Sequence, residues 1–210
     1  MQFDGAVFTI AGGQKYHSPG AARVEGDWSN AAFWLGAGAL SDGSVTCTGL
    51  DLNSRQGDRA ILDILERFGA RVEFDSSSVT VSGGNLQAVE IDAQDIPDLV
   101  PILAVVAAAA KGTTVIRNAG RLRGKESDRL AAVTSVMRGL GADVEETEDG
   151  LKMHGGKTLA GGQATSWGDH RIAMAAAIAA TMCTGPVEIK GAQAVNKSYP
   201  GFFDDLQMLL

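Results

Sequence analysis

Apolar residues along the chain form two kinds of helical pattern. Residues 29–40, 99–110 and 171–180 are apolar almost all round, as is typical of helices that are buried on every side. Residues 57–68 and 127–140 instead carry an apolar stripe at helical spacing, with charged side chains at the remaining positions. The pattern therefore predicts three buried helices and partly exposed companion helices.

The same pattern recurs along the chain at a long period. Asp27, Asp98 and Asp169 stand 71 residues apart, and each comes before an alanine-rich apolar stretch, a glycine turn and a strand-like segment. This period exceeds the roughly 20 to 50 residues of solenoid repeats and indicates a larger supersecondary unit. We expect an α/β fold of three βαβαββ units about a pseudo-three-fold axis, with buried parallel helices and outer sheets.

The repeat also predicts the domain organisation. Its units cover about residues 23–84, 88–156 and 163–210, without a linker between them. A repeat of this kind favours one pseudo-symmetric domain, over residues 21–210, rather than two small ones.

Composition and charge exclude several function classes. Of the 210 residues, 45% are hydrophobic and 20% charged, which fits a folded globular protein. The net charge of −7 argues against binding nucleic acid over the whole surface. The apolar runs are too short to span a bilayer and no secretory signal opens the chain, so we expect no membrane partner and a cytoplasmic protein. Cys47 and Cys183 fit buried small hydrophobes better than a disulfide or a metal site.

The three recurring aspartates each follow a glycine or a proline at the start of a buried helix. Aspartate in that position accepts hydrogen bonds from the free N–H groups of the first helical turn, so capping explains all three. If the helices run parallel, their positive ends converge on one face and favour anions there. The sequence therefore predicts a site for phosphates or carboxylates.

Charged motifs stand near the same helix starts. The segment Arg121–Leu130 carries four cations, Asp169–Arg171 begins the third buried helix, and Lys197 precedes the last helix. Each motif alone fits surface charge or a helix cap, but all three lie at equivalent ends of the repeat. The fold would bring them together with Asp98 and Glu126, and two acids among fixed cations make a plausible proton-transfer site.

Four motifs resemble a known family when taken in order. Lys125–Leu130, Asp169–Met174, Asn196–Pro200 and Val24–Asp27 are similar to the C-terminal domain of 5-enolpyruvylshikimate-3-phosphate (EPSP) synthases. The resemblance implies a domain of three βαβαββ units that pairs with a similar N-terminal domain, with the substrates in the cleft between them. It implies transfer of the enolpyruvyl group of phosphoenolpyruvate to the 5-hydroxyl of shikimate 3-phosphate, with release of phosphate and without a metal or organic cofactor.

The resemblance also implies roles for two acids. Asp98 matches the aspartate that accepts the proton of the attacking hydroxyl, and Glu126 matches the glutamate that protonates the phosphoenolpyruvate methylene. Lys197 and His170 belong to the same expected catalytic set.

The remaining cations are expected to bind substrate. Lys125 matches a lysine that contacts the phosphate of shikimate 3-phosphate. Arg129 and Arg171 match cations that, with Lys197, hold phosphoenolpyruvate. Arg121 stands where some members carry an asparagine that contacts shikimate 3-phosphate, so we expect it to bind substrate as well.

The chain departs from the family in length, since the family's enzymes are about twice as long. Residues 1–20 resemble the end of the preceding domain and the crossover from it, and the third unit is expected to end without its closing hairpin. We hypothesise that residues 3–16 fill the resulting sheet edge. Two alternatives remain open: an enolpyruvyl transferase acting on a UDP-sugar, and a non-catalytic module that binds phosphorylated ligands or a partner domain.

Overall fold

The computed structural model describes residues 1–210, with six α-helices and eleven β-strands. In chain order the helices are α1 (Trp28–Leu40), α2 (Ile61–Phe68), α3 (Val100–Ala109), α4 (Arg129–Gly139), α5 (His170–Ala180) and α6 (Phe202–Leu209). The strands are β1 (Gln2–Phe3), β2 (Phe8–Thr9), β3 (Ser44–Thr48), β4 (Arg71–Phe74), β5 (Ser78–Ser82), β6 (Glu90–Asp92), β7 (Gly112–Arg117), β8 (Asp143–Glu146), β9 (Leu151–Gly155), β10 (Gly162–Thr165) and β11 (Val187–Lys190). The predicted helices are all present. No helix is long and apolar enough to cross a bilayer.

The sheets follow the three units of the repeat. The first sheet has the order β3-β5-β4, the second β6-β7-β9-β8 and the third β10-β11. The second unit alone has the full βαβαββ order, with β6 parallel to β7 and an antiparallel β8–β9 hairpin. The first unit has no opening strand, and the third ends at α6 without a closing hairpin. The α/β fold of repeated units is therefore confirmed.

Helices α1, α3 and α5 pack against one another in the centre of the molecule. Every residue of α3 from Val100 to Ala108 is buried, which explains why this segment is apolar all round. The close approach of α1 to α3 depends on Gly36, because a Cβ there would lie 2.6 Å from Cγ1 of Ile102. Small side chains thus allow the three helices to share one core.

The central helices are parallel, and their starts share one face of the molecule. Asp98 and Arg171, at the starts of α3 and α5, contact each other, whereas Ala39 and Ala109, at the ends of α1 and α3, line one cleft. The positive ends of the helix dipoles therefore point to the same side.

The capping prediction is right for two of the three aspartates. Asp27 accepts from the N–H groups of α1, and Asp169 accepts from the N–H group of Arg171 in α5. Asp98 caps nothing, so the prediction is wrong there. A 3-10 turn, Pro97–Leu99, precedes α3 and moves Asp98 off the cap position, and its carboxylate contacts nearby cations instead.

The hypothesis that residues 3–16 fill the third sheet is wrong. Residues 1–25 are exposed, and β1 pairs only with β2. Phe3 stacks on Phe8 within this small hairpin, with 4.2 Å between ring centroids. Two-residue strands that satisfy each other leave too little backbone and apolar surface to join the edge at β11.

Candidate active site

Charged residues from four segments meet where the central helices begin. Asp98 comes just before α3, Lys125 and Glu126 lie before α4, and Lys197 precedes α6. Arg129 opens α4, while Asp169 and Arg171 stand at the start of α5. We call these seven residues the charged cluster: Asp98, Lys125, Glu126, Arg129, Asp169, Arg171 and Lys197.

Arg129 lies at the centre of the charged cluster. Its side chain is 1% exposed and contacts three carboxylates. Nε donates to Oδ2 of Asp169 at 2.7 Å, Nη1 to Oδ1 of Asp98 at 2.7 Å, and Nη2 to Oε2 of Glu126 at 2.6 Å. A buried guanidinium is tolerated when charged acceptors satisfy its donors in this way. Arg129 therefore fixes the relative positions of two predicted catalytic acids.

Asp98 is surrounded by cations. Besides Arg129, it contacts Nζ of Lys125 at 3.2 Å and Nη2 of Arg171 at 3.4 Å. Burial alone raises the pKa of this carboxyl, but Arg171, Arg129 and Lys125 outweigh it and hold the pKa below its ordinary value. Asp98 is therefore a carboxylate at neutral pH and has the protonation state that a proton acceptor requires.

Glu126 is shared by two cations. Nζ of Lys197 donates to its Oε1 at 2.6 Å, and Arg129 holds its Oε2. The hydrogen bond from Lys197, helped by the charge of Arg129, lowers the pKa of Glu126 to about 2. Glu126 is therefore ionised at neutral pH.

Arg171 has hydrogen-bonding capacity that the chain does not use. Its Nε and Nη1 atoms are buried and donate to no atom of the chain. A buried donor without an acceptor costs about 1–3 kcal/mol, and more when it is charged. A carboxylate or phosphate that approached Arg171 would remove that cost, so this side chain is suited to bind an anion.

His170 is buried beside Arg171. Burial and then the charge of Arg171 lower the pKa of His170, so the ring is neutral at neutral pH. Its Nδ1 has no hydrogen-bond partner in the chain. A neutral ring next to fixed cations adds a polar contact without adding further charge.

Two cations of the predicted motif lie apart from the charged cluster. The exposed Arg121 donates to the carbonyl oxygen of Gln94 at 3.3 Å and contacts no cluster residue. Arg123 binds Asp128 and Glu146, so it ties the turn before α4 to β8. Predicted site residues Asp98, Lys125, Glu126, Arg129, His170, Arg171 and Lys197 are brought together, and Arg121 is not.

The role of Asp169 goes beyond the helix cap that its position predicts. Asp169 is fully buried and accepts from Arg129 and from Oγ of Ser127 at 3.1 Å, besides capping α5. Arg129 lies 40 residues and Ser127 lies 42 residues from Asp169 along the chain, so no local spacing signals these contacts.

The sequence pattern also gave no prediction for the buried carboxyl of Asp58. It accepts from the hydroxyl of Ser29 at the start of α1. Burial raises the pKa of Asp58 above its ordinary value, whereas the net shift of the pKa of Asp98 is downward. Its place in the sequence, inside a helix with an exposed face, gave no sign of this.

The charged cluster lies on an open face. Clefts of about 590 Å³ and 610 Å³ are lined by other residues: the first lies between β3 and α6, and the second lies at the far ends of α1 and α3. The open face can position anions, but enclosing them requires atoms that this chain does not place there.

Comparison with known proteins identifies the family. The model of the EPSP synthase (3-phosphoshikimate 1-carboxyvinyltransferase) family matches residues 2–206. The chain belongs to the EPSP synthase family. A 3-phosphoshikimate 1-carboxyvinyltransferase of Clostridium kluyveri is 50% identical over 202 residues, which are 96% of this chain and 47% of that relative. One of Thermococcus kodakarensis is 50% identical over 188 residues, 90% of this chain and 46% of the relative.

Two solved structures agree with this fold. EPSP synthase from Acinetobacter baumannii is similar with a TM-score of 0.78 and 30% identity, covering 88% of this chain and 46% of that chain. The enolpyruvyl transferase NikO from Streptomyces tendae is similar with a TM-score of 0.70 and 25% identity, and the match covers 89% of this chain and 43% of that chain. The chain therefore spans about half the length of the relatives that it matches.

Proposed function

We propose that this chain supplies half of an EPSP synthase active site and acts together with an N-terminal domain of the same family. The reaction moves the enolpyruvyl group of phosphoenolpyruvate to the 5-hydroxyl of shikimate 3-phosphate and releases phosphate. The observation that carries the proposal is the placement of Asp98 and Glu126 on the two terminal nitrogen atoms of one buried guanidinium, among three further cations. Binding alone does not require two acids held in this way.

Each cation has a role that its surroundings support. Arg171 offers unused buried donors and suits the planar carboxylate of phosphoenolpyruvate. Lys197 is half exposed and within reach of a phosphate beside Glu126, while Lys125 is placed to bind the phosphate of shikimate 3-phosphate. Arg129 shares the carboxylate of phosphoenolpyruvate with Arg171, and His170 contacts the same ligand. Fixed cations of this kind stabilise charge on the departing phosphate without reorganising.

The proton transfers follow from the two acids. Asp98, an ionised carboxylate, accepts the proton of the 5-hydroxyl as its oxygen bonds to C2 of phosphoenolpyruvate. Glu126 gives a proton to C3, so the methylene becomes a methyl group. In the second half, C3 returns a proton to the Glu126 carboxylate, the C–H electron pair forms the double bond to C2, the bond from C2 to the phosphate oxygen breaks, and phosphate leaves with that electron pair.

Glu126 needs a proton before it can act as an acid. Its pKa of about 2 is caused first by Lys197. When the phosphate of phosphoenolpyruvate binds Lys197 and its carboxylate binds Nη2 of Arg129, Glu126 loses both contacts that stabilise its charged form. The negative ligand beside it then raises its pKa further. Substrate binding thus converts Glu126 from a carboxylate into a proton donor.

The N-terminal segment and the open face fit the same proposal. Residues 1–20 end a preceding domain and form the crossover from it, and residues 21–210 form the C-terminal domain. The exposed apolar side chains of the first segment are surface that a neighbouring domain would cover: Phe3, Val7, Phe8, Ile10 and Tyr16. An N-terminal domain would also close the open face. A cytoplasmic location of the reaction is part of the same proposal.

The experiment mixes this chain with a separately produced N-terminal half of the Clostridium kluyveri relative and measures phosphate release from phosphoenolpyruvate. We expect release with shikimate 3-phosphate, and none with either half alone. Release with a UDP-sugar acceptor instead would favour the other class of enolpyruvyl transferase. No release in a complex shown to form by sedimentation would leave a binding module and overturn the proposal.

A further inference from the structure

We propose that Asp169 is a positioning residue for Arg129. Only the expected effect on substrate binding rests on the proposed function. Asp169 binds the side edge of the guanidinium, Nε and Nη2, so that the terminal edge, Nη1 and Nη2, stays aimed at the open face. The terminal nitrogen atoms can then exchange Asp98 and Glu126 for the carboxylate of the substrate while the guanidinium stays in place.

The geometry divides Arg129 into two edges. Nε and Nη2 face Asp169, at 2.7 Å to Oδ2 and 3.3 Å to Oδ1. Nη1 and Nη2 also reach Asp98 and Glu126 on the open side. A side-on pair of hydrogen bonds donated to one carboxylate fixes the plane of a guanidinium, whereas one contact would let it rotate.

The carboxylates on the two edges of Arg129 also differ in exposure to solvent. Asp169 is 0% exposed, whereas Asp98 and Glu126 are 27% and 29% exposed. A ligand that arrives from solvent meets the two exposed acids and cannot reach Asp169. Asp169 is therefore the permanent partner of Arg129, and the other two acids are exchangeable.

Capping does not account for these contacts. Asp27 occupies the matching position before α1 and accepts from the N–H groups of Ser29 and Asn30 at 2.8 Å and 3.1 Å. It is exposed and binds no arginine. Asp169 caps α5 in the same way by accepting from the backbone N–H group of Arg171. Its contacts with Arg129 and Ser127 are additional to this cap. The two aspartates thus form a matched pair that separates capping from positioning.

The contacts of Asp169 also join two cations. Its Oδ1 accepts the backbone N–H group of Arg171 at 2.9 Å, and its Oδ2 accepts Nε of Arg129. One carboxylate thereby sets the spacing between the two arginines that are proposed to share the carboxylate of phosphoenolpyruvate. We expect a loss of Asp169 to act on substrate binding through both.

The test compares Asp169→Asn with Asp27→Asn, since asparagine keeps the cap acceptor and removes the charge. The Nε–H signal of Arg129 is followed by ¹⁵N NMR in this chain, and KM and kcat are measured in the reconstituted enzyme. We expect Asp169→Asn to speed hydrogen exchange of that Nε–H and to raise KM for phosphoenolpyruvate about ten-fold or more. Asp27→Asn should leave the Arg129 signal as it is in the wild type.

An unchanged Arg129 signal together with an unchanged KM in Asp169→Asn would overturn the inference. If that variant does not fold, Asp169→Ser keeps a good cap and serves as the second variant, with the same outcomes. The NMR result does not depend on activity. A reconstituted complex without transferase activity, but with the expected change at Arg129, would therefore refute the proposed function and leave the positioning of Arg129 supported.

Discussion

Arg129 and Arg171 lie on the same face but have opposite surroundings. The donors of Arg129 are taken up by three carboxylates, whereas Arg171 keeps two buried nitrogen atoms without an acceptor in the chain. In the proposed function, the first arginine organises the site before substrate arrives, and the second receives the substrate. Residue type alone could not separate these roles, because both arginines belong to motifs that predict anion binding.

Arg171→Gln should weaken the binding of phosphoenolpyruvate. The substitution removes a charged donor, and hydrogen bonds to charged groups contribute about 1.5–3 kcal/mol, so we expect KM to rise about ten- to hundred-fold. Steady-state kinetics of the reconstituted enzyme measure this. Arg117→Gln is the control, because Arg117 forms an exposed pair with Glu90 outside the charged cluster. Equal KM values for the wild type and Arg171→Gln would contradict the role of Arg171.

Glu126 should make the stability of the chain depend on acid pH. Its pKa is lowered from 4.5 to about 2, so between these values the unfolded chain binds more protons than the folded chain. The contribution of Glu126 is therefore fully present above pH 4.5 and is lost as the pH falls towards 2. Because the pair with Lys197 is partly exposed, we expect the loss to be about 1 kcal/mol.

Urea unfolding across this pH range tests the expectation. The wild type should lose more stability on acidification than Glu126→Gln does. Glu145→Gln should follow the wild type, because Glu145 lies 3.6 Å from Lys152 in a more exposed pair. Parallel pH curves for the wild type and Glu126→Gln would show that the contact with Lys197 does not hold in solution.

At the scale of elements, the spacing of apolar residues predicted the helices well because it is a local property of the sequence. Continuous apolar runs became α1, α3 and α5, and the striped segments became α2 and α4. The turn that carries Asp98 was not predicted, since capping aspartates look alike in sequence. Contacts between residues 31 to 42 apart, such as Arg129 with Asp98, arise from packing of whole units and leave no local signal.

Helix α1 depends on glycine where it packs on β5. A Cβ on Gly38 would lie 2.5 Å from the carbonyl oxygen of Val81, and a backbone atom in a sheet cannot move away cheaply. Gly38→Ala should therefore lower the free energy of unfolding by about 1–3 kcal/mol, despite the better helix propensity of alanine. Urea denaturation measures the change.

Gly43→Ala is the matched control for this packing. No atom lies within 4 Å of a Cβ at Gly43, so we expect a change within about 0.5 kcal/mol. A stabilising effect of Gly38→Ala would mean that α1 and β5 are less closely packed than described.

At the scale of the whole molecule, the chain combines one shared core with an N-terminal segment outside it. The 54 buried residues of the core begin at Trp28, and residues 1–25 bury nothing. The 71-residue repeat predicted the three-unit architecture and the meeting of the charged motifs, and the resemblance to the family implied the same architecture. The prediction that residues 3–16 fill a sheet edge was wrong, because this segment is exposed and its two short strands pair only with each other.

Deletion of residues 1–20 should leave the free energy of unfolding of the chain unchanged within about 0.5 kcal/mol, since the segment buries no side chain. The same deletion should weaken assembly with an N-terminal half, because the exposed apolar residues of the segment are proposed to contact it. Thermal unfolding and sedimentation measure the two effects. A marked loss of stability in the isolated chain would contradict the exposed placement of the segment.

The most direct test of the account follows hydrogen at C3 of phosphoenolpyruvate. In D₂O, a deuteron from Glu126 would enter the transient methyl group, and loss of either of the two original hydrogens would leave deuterium in the enolpyruvyl group. Mass spectrometry of the enolpyruvyl product formed by the reconstituted enzyme measures this. We predict incorporation with the wild type and with Glu145→Gln, and its loss with Glu126→Gln. Turnover without deuterium in the product, or incorporation that persists in Glu126→Gln, would contradict the assignment of this face as the proton-transfer site.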